Sequence, residues 1–117
     1  IDGDGSILMN LGSLTTIANN EQNNLTLIVI DNSTYGSTGD QKTYTSKHTN
    51  LEIIARGAGF KSIFVIERKE DISQKLLSLS KGCHFILIKV SPGNAKVKNI
   101  PLQPEKIKER FIKSLSN

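Results

Sequence analysis

A chain of 117 residues suits one compact domain and is too short for two. Hydrophobic residues at 37% and charged residues at 22% are an ordinary globular balance, and no apolar run approaches the length of a membrane span. Aromatics at 5% and no tryptophan argue against a base-stacking surface, and the basic residues behind the net charge of +4 match no nucleic-acid-reading motif.

The chain opens Ile1-Asp2-Gly3-Asp4-Gly5-Ser6, without an initiator methionine and with no visible signal peptide. Ile1 to Asp4 reads as the end of a strand whose beginning is missing, so the single domain, residues 1–117, is expected to be N-terminally incomplete. Ser6 to about Asn20 reads as one helix, with Ser6 as its cap and Ile7, Leu8, Leu11, Leu14 and Ala18 near helical spacing. Leu25 to Ile30 is an unbroken β-branched and apolar run, the pattern of a parallel strand buried on both faces. Residues 31–48 are rich in Asp, Asn, Ser, Thr and Gly and read as a long loop, of the kind that in compact domains is usually functional or disordered.

Asn50 caps a helix expected to reach Gly57. Ser62 to Ile66 reads as a strand, Asp71 to Leu79 as an amphipathic helix, and His84 to Val90 as a second buried strand. Ser91 to Pro104 reads as a loop, and Glu105 to Leu115 as a basic closing helix. This alternation argues for an α/β fold, an open parallel sheet with helices on both faces and right-handed crossovers.

Charge is uneven along the chain. Residues 1–50 carry five acids and two lysines, and residues 51–117 carry thirteen Lys or Arg and six acids. The plain reading is a solvated basic face on the C-terminal helices; the sharper one is a docking surface for an acidic partner or an anionic ligand. A single cysteine, Cys83, precludes a disulfide framework and suits a reducing, cytoplasmic setting. It opens the run Cys83-His84-Phe85-Ile86-Leu87-Ile88 and reads as a core residue, not a nucleophile; His84, in the same run, reads as structural.

The chemistry lies in two segments. Gly3-Asp4-Gly5-Ser6 sits where a strand gives way to a helix; glycines there allow a sharp turn and close approach to a ligand, and the first amides of the helix suit an anion. One helix and one strand later comes Asp31-Asn32-Ser33-Thr34-Tyr35-Gly36. In a β-α-β unit both segments reach the carboxyl edge of the sheet, where open α/β sheets bind ligands. Asp4 and Asn32 would then face one crevice and offer the hard oxygen donors that Mg²⁺ prefers. Either segment alone is ordinary turn chemistry; the pair at this spacing is what suggests a phosphate-plus-metal site.

Gly3-Asp4-Gly5 followed by Asp31-Asn32 resembles the metal–cofactor motif of the thiamine-diphosphate-dependent 2-oxoacid decarboxylases. That motif runs Gly-Asp-Gly, a spacer of just under thirty residues, then commonly Asn-Asn; here Asp31 replaces the first Asn. The likeness extends from Ile1 through Gly12-Ser13-Leu14 and from Asp31 to Thr43. It is strongest to the branch that converts sulfopyruvate to sulfoacetaldehyde and CO₂ on the route to coenzyme M. Phosphonopyruvate decarboxylases carry a similar Ser-Thr-Gly-x-Gln stretch, and the β subunits of 2-oxoacid:ferredoxin oxidoreductases a weaker one. The likeness is close over about residues 1–60; beyond that, only the layout fits.

The resemblance implies the thiamine-diphosphate-binding fold, with thiamine diphosphate and Mg²⁺ as cofactors and a small anionic 2-oxoacid as substrate. It implies that Asp4 and Asn32 bind Mg²⁺ by side chain and Thr34 by its backbone oxygen. Gly3, Asp4, Gly5, Ser6, Asn32 and Thr34 would hold the diphosphate and metal, with Tyr35, Gly36, Ser37 and Thr38 beside the cofactor. Gln41, Lys42, Lys47 and His48 are weaker candidates for contact with the substrate, since solvated loop side chains explain them as well. The activating glutamate would come from a pyrimidine-binding α subunit, so this chain would be active only in a hetero-oligomer. Within the same cofactor class, a ferredoxin-coupled oxidoreductase subunit would call for iron–sulfur clusters, which one cysteine cannot hold. A non-catalytic α/β binding module is the remaining alternative, with retention of both Asp4 and Asn32 against it. No nucleic acid and no membrane enter either reading.

Overall fold

A computed structural model of the protein describes residues 1–93, 97, 98, 100 and 103–116. Four parallel strands form the main sheet in the order β1-β2-β6-β5, with β1 Asp2–Gly3, β2 Asn24–Asp31, β5 Ser62–Ile66 and β6 Gly82–Lys89. The helices are α1 Asp4–Met9, α2 Gly12–Asn19, α3 Leu51–Ala58, α4 Lys69–Leu77 and α5 Pro104–Leu115. Side chains alternate across the sheet. One face packs Val29, Phe85 and Leu87 against Ile7, Leu14, Leu51 and Ala55 of α1, α2 and α3. The other packs Ile66, Ile86 and Ile88 against partly buried Ile72 of α4 and Leu79. The α/β architecture with helices on both faces is therefore as the sequence predicts. Phe85 and Phe60 add a tilted ring pair, centroids 5.4 Å apart, at the centre of the first face.

The helix expected over 6–20 is two helices. Asn10 leaves helical geometry at φ −145° and ends α1, and α2 begins at Gly12. Asn and Gly on either side of Leu11 are poor helix residues, so the break falls where extension gains least. Nor is Ser6 the cap: the helix starts at Asp4 after an extended Gly3, with no side-chain cap bond.

β2 is not buried on both faces along its length. Val29 and Asp31 are buried, whereas Asn24 and Leu25 are exposed and the rest half-buried. β1 pairs with Val29 and Ile30 at the carboxyl half of β2. The strand buried on both faces is β6, where His84 to Ile88 are all buried between β2 and β5.

The helix capped by Asn50 forms as expected, with Ile53 N–H donating to Asn50 Oδ1 at 3.1 Å. It runs to Ala58, one residue beyond the expected Gly57, and ends in left-handed Gly59. α4 starts at Lys69, earlier than expected. The expected loop over 91–104 lies partly outside the described residues. α5 begins with proline in its first turn, as a preset φ favours, and every one of its residues is exposed.

The segment 31–48 is not a plain loop. It holds a two-stranded antiparallel ladder, β3 Thr34–Tyr35 against β4 Gln41–Lys42, and a 3₁₀ turn at Tyr44–Ser46. Ser33 starts the reversal with a left-handed φ of 59°. The carbonyl of Tyr35 then accepts from the amides of Thr38, Gly39 and Asp40, closing the tip. Thr43 N–H returns to Ser33 O at 3.0 Å. This hairpin carries residues 43–45 back to the end of β1.

Candidate functional site

The end of β1 and the end of β2 are adjacent parallel termini, and their following residues wall a crevice of about 270 Å³. Gly3, Asp4, Gly5, Ser6, Ile30, Asn32, Thr34, Tyr35, Gly36 and Ser37 line it. Nine of these ten are residues that the sequence reading singled out for the cofactor; Ile30 is the addition. The tenth such residue, Thr38, stands outside the lining, exposed, with its hydroxyl 3.0 Å from Gln41 Oε1 and 3.2 Å from Tyr35 O. Gln41, Lys42, Lys47 and His48 are exposed on or near the hairpin and line no part of the crevice.

The two glycines act differently. Gly3 is extended at φ −98° and ψ 158°, and the space where a Cβ would stand is open. Gly5 is helical, and a Cβ there would lie 2.5 Å from Cε1 and 2.7 Å from Cδ1 of Tyr35. Neither needs left-handed backbone. Gly3 keeps the crevice floor clear, and Gly5 admits the Tyr35 ring that forms its wall.

Asp4 is 2% exposed and Asp31 is 6% exposed, and both are held by hydroxyls. Thr43, itself 1% exposed, donates to Asp4 Oδ2 at 2.6 Å. Thr45 Oγ1 lies 2.8 Å from Asp31 Oδ1 and 3.1 Å from Asp4 Oδ2, so both carboxylates touch one hydroxyl. Ser33 donates to Asp31 Oδ1 through its amide at 3.1 Å and is placed to do so through its hydroxyl at 3.2 Å. Asn32 Oδ1 accepts from Thr34 N–H at 3.0 Å, a second such Asx turn one residue along. That oxygen retains a lone pair for a cation.

Three observations bear on a metal and a phosphate. Neither Asp4 nor Asp31 has a Lys, Arg or His partner among the described residues, although burying uncompensated carboxylates is costly. Thr34 Oγ1 is buried with no partner among the described residues. The first-turn amides of Gly5 and Ser6 have no acceptor inside their own helix. A divalent cation with phosphate oxygens would answer the first and third needs. Among the described residues no three His, Cys, Asp or Glu side chains gather, so such a cation would rely on mixed carboxylate, amide and carbonyl oxygens, the set that suits Mg²⁺. The residues present fit the group.

Thr43 and Thr45 escaped the sequence reading as site residues. Their distance from Asp4 along the chain is 39 and 41 positions, and only the hairpin closes it. Nothing in their spacing marks them, and Thr is ordinary in a polar segment.

The other histidine and the cysteine lie at the opposite, amino end of the sheet, beside a cleft of about 450 Å³. His84 Nε2 donates to Ser80 O at 2.8 Å, which leaves Nδ1 to accept from the Ser62 hydroxyl at 2.7 Å. It is a satisfied core histidine. Cys83 packs against the core, and burial pushes its thiol pKa up, away from nucleophilic use.

Residues 1–90 match the family described as thiamine pyrophosphate enzyme, C-terminal TPP binding domain. The chain belongs to that family. It is 49% identical over 117 residues to the sulfopyruvate decarboxylase subunit beta of Methanocaldococcus jannaschii, covering 98% of this chain and 62% of that protein. It is 42% identical over 115 residues to the protein of the same name from Methanothermobacter thermautotrophicus, covering 98% and 60%. With the phosphonopyruvate decarboxylase of Streptomyces hygroscopicus it shares 32% over 114 residues, 95% of this chain and 28% of that protein. The chain thus spans about three-fifths of the beta subunits it matches.

Proposed function

We propose that the chain is the diphosphate- and Mg²⁺-binding part of a thiamine-diphosphate-dependent 2-oxoacid decarboxylase, with sulfopyruvate as substrate and sulfoacetaldehyde and CO₂ as products. The observation that carries the reading is the buried carboxylate of Asp4, with no Lys, Arg or His partner among the described residues, in a crevice that it lines together with Asn32 and Thr34. The beta subunits at 49% and 42% identity support the substrate.

On this reading Asp4 and Asn32 hold Mg²⁺ through side-chain oxygens and Thr34 through its backbone oxygen. Gly5 and Ser6 present amides to the diphosphate, and the open face of Gly3 leaves room for it. Tyr35, braced against Gly5, closes one wall and limits water. Thiamine diphosphate, when bound, supplies the electron sink that lets CO₂ depart. Among the described residues no glutamate lines the crevice, and the reading assigns the activating acid to a pyrimidine-binding α subunit. Gln41, Lys42, Lys47 and His48 reach substrate only if the partner brings it to their side of the hairpin.

The test is CO₂ release by the full-length chain assembled with its α partner, with sulfopyruvate and phosphonopyruvate offered separately. Turnover of sulfopyruvate in preference supports the reading. Turnover of phosphonopyruvate alone transfers it to the branch 32% identical to this chain. No metal-dependent turnover of either substrate by an assembled complex contradicts it.

A further inference from the structure

The buried hydroxyl of Thr43 and the half-buried one of Thr45 converge on a single oxygen of a single carboxylate. Thr43 Oγ1 is 2.6 Å and Thr45 Oγ1 3.1 Å from Asp4 Oδ2. The same Thr45 hydroxyl lies 2.8 Å from Asp31 Oδ1 and 2.9 Å from Thr43 Oγ1. A carboxylate has two oxygens and one free torsion that decides which of them faces the crevice. Fixing one oxygen fixes the other. Each hydroxyl has one proton: Thr43 gives its own to Asp4 Oδ2, and Thr45 shares its own between Asp4 Oδ2 and Asp31 Oδ1. No described group hydrogen-bonds Asp4 Oδ1, so the side chain is held by Oδ2 alone.

Both threonines are delivered by the hairpin. Thr43 is anchored through its amide to Ser33 O at 3.0 Å, and through its carbonyl, which accepts from the Ser46 hydroxyl at 2.6 Å. Ser33 lies between Asn32 and Thr34, so the strand end that offers two donors to the crevice also fixes the clamp on the third. Hydroxyls suit this task better than cations. A lysine or arginine at Asp4 would neutralise the charge that a metal needs, whereas a neutral donor orients the carboxylate and leaves its charge intact.

We infer that Thr43 and Thr45 are positioning residues that set the orientation of Asp4 for the metal, and so couple the 31–48 hairpin to metal affinity. The inference rests on the metal site proposed above. Partners of this kind typically change metal affinity by about 10- to 100-fold when lost.

The experiment uses the full-length chain with its partner and measures two things: the Mg²⁺ concentration for half-maximal thiamine diphosphate binding, and Mn²⁺ bound in the presence of the cofactor, counted by electron paramagnetic resonance. Thr43→Val and Thr45→Val keep the side-chain shape and remove the hydroxyl. The half-saturating metal concentration is expected to rise about tenfold or more in each, while cofactor affinity at saturating metal stays near that of the parent. Thr43→Ser, which restores the donor, is expected to recover most of the loss. A merely structural threonine would lower the melting temperature in EDTA without moving the metal requirement, and the Ser variant would not be distinguished from Val by metal affinity. Parental metal dependence in folded Val variants overturns the inference and leaves the metal site standing. A parent complex that binds the cofactor without metal, or not at all, overturns both.

Discussion

Gly3 and Gly5 stand two positions apart and should respond to the same substitution in opposite ways. Gly3→Ala places a methyl in open space on extended backbone, so folding stability is expected to stay within about 0.5 kcal/mol. Gly3 lines the crevice, and cofactor affinity is expected to fall. Gly5→Ala places its methyl 2.5 Å from the Tyr35 ring, closer than carbon atoms approach. The ring must move, and overpacking of this kind costs about 1–3 kcal/mol. Urea denaturation reads both stabilities. Combining Gly5→Ala with Tyr35→Ala should cost less than the sum of the two, because the clash disappears with the ring. Additive costs would show that Gly5 is not constrained by Tyr35.

Asp4 and Asn32 were legible from sequence because their chemistry is visible in the residue type and their spacing matches a β-α-β unit. Thr43 and Thr45 were not. Their contact with Asp4 comes from a hairpin register, Thr34 against Lys42 and Tyr35 against Gln41, and no local pattern encodes it. The left-handed backbone at Ser33, which sets that register, is also invisible: Ser rarely adopts φ near 59° without surrounding structure to hold it.

Elements with explicit end signals were read well. Asn50 caps α3 as predicted, and the helix stops in a Schellman arrangement, with Phe60 N–H on Ala55 O at 3.2 Å and Gly59 N–H on Arg56 O at 3.1 Å. Phe60 then enters the core beside Phe85. Gly59, at φ 112°, is where this depends on glycine. Gly59→Ala is expected to cost about 1–2 kcal/mol from backbone strain alone. Denaturant midpoints for parent and variant check it, with Gly57→Ala, a helical position with open space, as the neutral or mildly stabilising control. Elements without such signals were misread. The break at Asn10 and the two-strand hairpin both came from weak propensities that tertiary contacts decide.

At the scale of the molecule, the sheet sorts the chemistry by its two ends. The carboxyl ends of β1 and β2 gather Asp4, Asp31 and Asn32, while the amino ends of β5 and β6 hold a satisfied His84 and a partly buried Cys83. α5 stands apart from this order: Ile107, Phe111 and Leu115 form one exposed stripe at four-residue spacing, with Lys106, Lys108, Arg110 and Lys113 around it. The sequence reading of a basic closing helix is correct as to the helix, and its apolar stripe shows that charge alone does not describe its surface. Among the described residues, no helix is long and apolar enough to cross a membrane.

The central claim is that Asp4, Asn32 and the segment around them bind thiamine diphosphate through a divalent cation. The most direct measurement is calorimetric titration of thiamine diphosphate into the full-length chain with its partner, in Mg²⁺, in EDTA, and with Asp4→Ala. Binding in Mg²⁺ that disappears in EDTA and in Asp4→Ala is the predicted result. Binding of equal affinity in all three, or none in Mg²⁺ by a folded complex, would contradict the account.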